Sequence, residues 1–151
     1  MRTSRAALAT ALLAAAPGAG CRADAPHPTP RVLVQTAGGS AAIRVEVART
    51  EAQREHGLMD RAKLDADAGM IFLFEGAARH GFWMKNTLIP LDMIFIGDDG
   101  RVGAIVERKP LSLDVTDGGV DSRYVLEVNG GWAASHGVKV GDEVRFENVL
   151  Y

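Results

Sequence analysis

From residue 31 onward, short apolar runs alternate with turn-forming residues. Positions 43–47 alternate between apolar and charged side chains, which is typical of a strand with one face in solvent. Positions 70–74 are continuously apolar, as in a strand buried on both faces. An Asp-Gly step at positions 99 and 100 lies between two further apolar runs and predicts a tight hairpin. About eight such strands predict a mainly β (α+β) domain, either a partly open barrel or a sandwich.

One or two short helices are expected to accompany these strands. Thr50 and Gln53 have the spacing of a capping box, and Gly57 occupies the position of a C-terminal cap. This pattern predicts a helix over positions 51–56. Residues 130–136 could form a second, single helical turn, which is followed by Gly137. Neither helix is long enough to be stable without the sheet.

The first twenty residues have the pattern of a secretory signal peptide. Arg2 and Arg5 precede an apolar run, Ala6–Ala16, which is about half the length of a membrane-spanning helix. Cys21 follows small residues and resembles the lipid-bearing cysteine of a bacterial lipoprotein. Gly18 stands three positions earlier, where leucine is usual, so ordinary cleavage near residue 20 is the alternative. We therefore expect export to the periplasm or cell envelope, with membrane contact only through a lipid on Cys21.

Residues 21–30 contain three prolines and predict an extended tether, which leaves residues 31–151 for a single domain. Hydrophobic residues make up 47% of the chain and charged residues 24%, as in packed globular proteins. A net charge of -2 and an aromatic content of 6% argue against a nucleic-acid partner. The single cysteine excludes a disulfide within the domain.

Three stretches together resemble a known family: 57–61 (GLMDR), 69–74 (GMIFLF) and 82–96 (FWMKNTLIPLDMIFI). They are similar to DUF192, an uncharacterised protein family, and the likeness extends from Val32 to Phe146. The resemblance implies a small, mainly β domain that is often secreted and has no established biochemical activity.

The most apolar part of the chain also contains polar residues, which need partners when buried. Lys85, Asn86, Thr87 and Asp92 are expected to lie together as candidate ligand-binding residues. The ammonium of Lys85, the amide of Asn86 and the carboxylate of Asp92 would form the floor of a ligand pocket, with Trp83 as an apolar wall. In the alternative interpretation, Asn86 and Asp92 bond backbone groups across the turn and Lys85 is a surface charge.

Arg54, Arg61 and Glu127 form a second group of candidate ligand-binding residues. Either arginine would clamp a carboxylate or phosphate group of a ligand. Alternatively, Arg61 forms an internal ion pair with Glu127 or Asp92 and holds the short helix on the sheet.

These residues lead to two hypotheses of function. The first is a non-enzymatic binding or accessory protein for a small molecule or envelope component. The alternative is a small hydrolase or lyase, with Asp92 and Glu127 as acid and base and with Arg61 or Lys85 stabilising charge. No complete catalytic or phosphate-binding motif is present in the sequence, which favours the first hypothesis.

A copper-handling protein is the third hypothesis. Thioether and imidazole groups can bind Cu(I) in an oxidising compartment, and the chain offers Met59, Met70, Met84, Met93, His56 and His80. No local spacing gathers these side chains, and methionine beside phenylalanine and isoleucine commonly fills gaps in a core. The sequence therefore predicts no metal site and no cofactor.

Overall fold

A computed structural model describes residues 28–149, which form seven strands and two short helices. In chain order they are β1 (Arg31–Thr36), β2 (Gly39–Ala48), α1 (Glu51–His56), β3 (Ala68–Ala78), β4 (Leu91–Ile96), β5 (Val102–Arg108), β6 (Ser122–Asn129), α2 (Trp132–Ser135) and β7 (Glu143–Glu147). The predicted mainly β fold is confirmed. Neither of the helices in this range is long and apolar enough to cross a membrane. The predicted signal peptide, Cys21 and most of the predicted tether lie outside the described residues.

The strands form one curled sheet in the order β5-β4-β6-β3-β2-β1-β7. Neighbouring strands are antiparallel except β2 and β3, which run parallel and are connected through α1. The two ends of the sheet meet: the amide of Val102 donates to the carbonyl of Asp142 at 2.9 Å, and Val144 donates to Gly100 at 2.8 Å. The sheet is therefore a partly closed half-barrel.

Two local predictions are confirmed in detail. The Thr50 hydroxyl accepts a hydrogen bond from the Gln53 amide, and the Gln53 side chain accepts one from the Thr50 amide, which completes the capping box of α1. Strands β4 and β5 form the expected hairpin. Its turn contains Gly100 at a φ of 72°, a left-handed conformation that glycine adopts without strain.

Residues 82–84 do not form the strand that their apolar character suggests. Phe82 makes only an isolated bridge to Thr116, and the amide of Met84 donates to the carbonyl of Ser112. The central strand β6 already pairs with β3 on one side and β4 on the other, so these residues have no free edge to join. The segment instead crosses the face of the sheet, which leaves Phe82 and Trp83 free to line a space there.

Side chains alternate between the two faces of the sheet along each strand. Apolar side chains are buried on both faces, in two separate clusters. The enclosed face packs against α2 through Trp132 and Ala133. The outer face of β3, β4 and β6 is covered by the segments 57–64 and 82–89 and forms a second apolar cluster, which contains Leu58, Met70, Phe72, Met84, Ile89, Leu91, Met93, Phe95 and Val125. The candidate site lies on this outer face.

Candidate functional site

A cavity of about 400 Å³ lies between the outer face of the sheet and the segments that cover it. Helix α1 and the following residues 57–59 form one wall, and β3 and residues 79–83 form another. Glu127, on the central strand β6, lines the cavity together with Thr87. The covering segments therefore leave a recess that reaches the middle of the sheet.

Glu127 is the buried ionisable group of this cavity, with only 4% of its surface exposed. Its neighbours across the two adjacent strands are Met70 on β3 and Met93 on β4, both buried. Within the described part of the chain, no hydrogen bond or ion pair reaches its carboxyl group. Loss of hydration therefore acts alone and raises the pKa of Glu127 from 4.5 to about 8. The group is predominantly a neutral acid at pH 7.

Aromatic rings form the walls above this acid. The Phe82 ring meets Phe72 edge to face at a centroid distance of 5.1 Å, and Phe74 at 6.3 Å. The imidazole of His80 stacks on Phe74 at 3.5 Å. Edge-to-face and stacked pairs hold rings in preferred orientations. The walls are therefore largely preformed.

Trp83 lies at the mouth of the cavity and is 45% exposed. The Nζ atom of Lys85 lies 5.1 Å from the centre of the Trp83 ring, in a cation–π contact at the surface. Thr87 is buried, and its hydroxyl donates to the carbonyl of Lys85 at 3.3 Å. Of these three predicted site residues, Trp83 and Thr87 line the cavity and Lys85 does not.

Arg54 reaches the cavity from α1. Its Nη1 atom donates to the carbonyl oxygens of Arg49 at 2.5 Å and Leu73 at 3.1 Å, and its guanidinium carbon lies 5.2 Å from the centre of the Phe74 ring. Because its partners are two carbonyl groups and a ring rather than a carboxylate, the positive charge of Arg54 is not neutralised by them.

Asp92 is not part of this site. Residues 92 and 93 point to opposite faces of β4, and it is Met93 that lies beside Glu127. The carboxylate of Asp92 accepts hydrogen bonds from the amides of Gly131 at 3.0 Å and Ala133 at 2.8 Å, and so caps the beginning of α2. The predicted acid–base pair of Asp92 and Glu127 is wrong, because the sheet separates the two groups.

The predicted pocket floor is also wrong. Asn86 occupies a turn at a φ of 54°, where its carbonyl accepts the amide of Asp60 at 2.8 Å, and its side chain does not line the cavity. Lys85 points to the surface and Asp92 to the other side of the sheet. Glu127 and Thr87 occupy the place that these three residues were expected to fill.

Arg61 forms an internal ion pair, but with a partner that the sequence did not indicate. Its two Nη atoms contact the two carboxylate oxygens of Glu46 at 2.5 and 2.7 Å. The hydrogen bond from Arg61 lowers the pKa of Glu46. The predicted partners Glu127 and Asp92 are wrong, and Arg61 does not line the cavity.

Three of the four methionines in the copper hypothesis, Met70, Met84 and Met93, belong to the outer-face cluster, and Met59 lines the cavity. The three cluster members pack among phenylalanine and leucine side chains. Within residues 28–149, no group of three or more His, Cys, Asp or Glu side chains is placed to hold a metal ion. Copper handling stays a prediction.

The sequence did not single out Phe72, Phe74 and Phe82 as site residues. In the sequence they look like core phenylalanines, and two of them are partly buried members of the outer-face cluster. The available signal was Glu127, a lone acid in the apolar run 125–128, whose special environment depends on the strands paired with it.

Two crystal structures are similar to this fold. One is of "a putative transcription regulator" from Sinorhizobium meliloti 1021, with a TM-score of 0.76 and 36% identity, and the match covers 84% of this chain and 100% of that one. The other is a protein of unknown function from Novosphingobium aromaticivorans DSM 12444, with a TM-score of 0.74 and 42% identity over 76% of this chain and 83% of that one. No curated protein matches the chain significantly.

The family comparison agrees with the resemblance seen in the motifs. The model of DUF192, described as "Uncharacterized ACR", matches residues 32–146. This range includes all seven strands but for the ends of β1 and β7, and every residue that lines the cavity. The chain therefore belongs to the DUF192 family.

Proposed function

We propose that this protein binds a small organic molecule in the outer-face cavity and that Glu127 is the polar group that contacts it. The observation that supports this most directly is a buried carboxyl group that has no protein partner among the described residues 28–149. Burial of such a group is costly unless something satisfies it. A ligand that reaches the cavity floor would supply the missing partner.

The cavity also has the general character of a ligand site. Its volume of about 400 Å³ lies in the usual range for small-molecule pockets, and a few polar groups are set among apolar walls. The exposed Trp83 ring at the mouth adds apolar surface to an entering molecule.

Binding is a better proposal than hydrolysis or elimination. The enzymatic hypothesis relied on two carboxyl groups facing one cleft, whereas Asp92 is held by backbone amides on the opposite face. A general acid or base must lie within hydrogen-bond reach of the reacting group. Glu127 alone can hold or release a proton at the cavity floor, which suits ligand recognition.

Regulation of transcription is part of the description of one similar structure and is said of that protein only. For this chain, a net charge of -2 does not favour contact with the phosphate groups of DNA.

The binding proposal can be tested by nuclear magnetic resonance with a library of soluble fragment-sized amines, alcohols and acids. We expect at least one class to shift the backbone amides of Phe82, Trp83 and Thr87, and not those of Trp132 and Ala133 on the opposite face. Failure of every class to shift the cavity amides would refute the proposal.

A blocking variant provides the control. Met59→Trp places a larger side chain in the cavity wall and should abolish the shifts, whereas Leu113→Trp adds the same side chain at an exposed position outside the cavity and should not. Fragment binding that persists unchanged in Met59→Trp would place the site elsewhere.

We further propose that the domain acts in the cell envelope, exported by its signal peptide and attached to a membrane through a lipid on Cys21. The support is the sequence pattern before residue 22. In the native host, Cys21→Ser should move the protein from the membrane fraction to the soluble periplasmic fraction. Gly18→Leu restores the usual residue and should make attachment at least as complete. Unchanged membrane attachment of Cys21→Ser would show that the lipid is not the anchor.

A further inference from the structure

Building on the proposed binding function, we propose that the ligand is an organic cation whose ammonium head pairs with the Glu127 carboxylate. Its apolar part would lie against the aromatic walls. Three features of the cavity support this choice: the chemistry of its floor, the rings of its walls and the balance of charge around it.

The floor favours a cation because the carboxyl group of Glu127 is 4% exposed and has no hydrogen bond or ion pair within residues 28–149. An ionised carboxylate in this apolar setting needs an opposite charge to offset its lost hydration. Thr87, the other polar residue at this depth, already donates its hydroxyl to the Lys85 carbonyl. An ammonium group from the ligand can provide the opposite charge that the Glu127 carboxylate needs.

The walls are suited to the same ligand. Aromatic faces attract cations, although Arg54 already occupies part of the Phe74 surface and Lys85 part of the Trp83 surface. The ring of Phe82 stands beside them, perpendicular to Phe74. A ligand that enters past Trp83 therefore meets ring surfaces before it reaches the acid.

The other ionisable groups around Glu127 come from two parts of the chain. Helix α1 contributes Glu51, Arg54, Glu55 and His56, and the connection after β3 contributes Arg79 and His80. The Arg79 guanidinium is already engaged, at 3.6 Å from a carboxylate oxygen of Asp117 and 3.2 Å from one of Asp121.

The balance of these charges favours a cation. Neither Glu51 nor Glu55 is in an ion pair within the described residues, and together they offset the charges of Arg54 and Arg79. The lining is therefore neutral when Glu127 is protonated, and it has a net negative charge when Glu127 is ionised, because three carboxylates then face two guanidinium groups. An anionic ligand would add to that charge.

This proposal predicts a specific pH dependence. A cation requires the ionised carboxylate, and burial sets the pKa of Glu127 at about 8 before the ligand binds. Affinity should therefore rise about tenfold per pH unit below that pKa and level off above it. Between about pH 6 and about pH 9, the expected gain is on the order of a hundredfold.

The test uses choline, whose charge does not change with pH, and its neutral isostere 3,3-dimethylbutan-1-ol. At pH 9, titration calorimetry should show that choline binds at least about tenfold more tightly than the neutral alcohol. Only choline should show the rise with pH. In Glu127→Gln both the preference for choline over the alcohol and the rise in choline affinity with pH should disappear.

Glu55→Gln is the matched control, because it removes an exposed carboxylate from the rim and leaves the floor intact. In this variant, the affinity for choline should rise with pH by the same factor as in the native protein. Equal binding of the two probes, tighter binding of the alcohol or failure of choline to bind would overturn the cation proposal. The fragment experiment decides separately whether the cavity binds small molecules at all.

Discussion

Glu127→Gln is expected to stabilise the protein by roughly 3 to 5 kcal/mol at about pH 8 and to change its stability little at about pH 4.5. The reason is the raised pKa of Glu127, about 8 in the folded protein against an ordinary value of 4.5. Between pH 4.5 and pH 8, ionisation of this group lowers the free energy of the unfolded chain but not that of the folded protein. The contribution of the neutral Glu127 to the stability of the native protein is therefore complete below pH 4.5 and is lost as the pH rises to 8.

Glutamine has nearly the same shape as glutamic acid and does not ionise, so the variant isolates this effect. Urea denaturation of both proteins over this pH range gives the difference in the free energy of unfolding. Glu55→Gln, at an exposed position, serves as a control and should change little across the range. A constant difference between Glu127→Gln and the native protein at all pH values would contradict the assignment of a neutral, buried acid.

Asp92→Ala should lower the free energy of unfolding by about 2 to 5 kcal/mol. The variant leaves two amides, those of Gly131 and Ala133, without their acceptor at a site where Asp92 is 3% exposed. Each unsatisfied buried donor costs about 1 to 3 kcal/mol. Loss of near-ultraviolet circular dichroism from Trp132, which packs beside this cap, should accompany the change.

Asp142→Ala is the comparison that separates burial from capping. Its carboxylate accepts one amide hydrogen bond, from Lys139 at 2.8 Å, in an exposed turn where water can replace it. Its loss should cost about 1 kcal/mol or less. Equal effects of the two substitutions would show that α2 does not depend on its buried cap.

The sequence predicts the features of this fold that depend on neighbours in the chain. The capping box at Thr50 and Gln53 and the turn before β5 are each determined by a few consecutive residues, and both are present. The alternation at positions 43–47 likewise places Ile43 and Val45 in the core. These elements follow from local conformational preferences and from the two-residue period of a strand.

The site depends on distant pairing and was only partly predicted. Trp83, Thr87, Arg54 and Glu127 were candidates, but their convergence requires β6 to lie between β3 and β4 in one register. A shift of one residue in that pairing would move each side chain to the other face. For this reason Asp92 and Glu127 could not be assigned to opposite faces before the register was known.

The meeting of the two sheet ends has a consequence for self-association. Exposed strand edges can recruit strands from other molecules and begin aggregation. Here the start of β5 is bonded to the residues around β7, with a bridge between Arg101 and Glu143, and β7 carries alternating charges at Glu143, Arg145 and Glu147. The backbone groups at these strand edges are thus either hydrogen-bonded already or flanked by charged side chains, which disfavours pairing with a strand of another molecule. This arrangement should keep the protein monodisperse when many copies are crowded together.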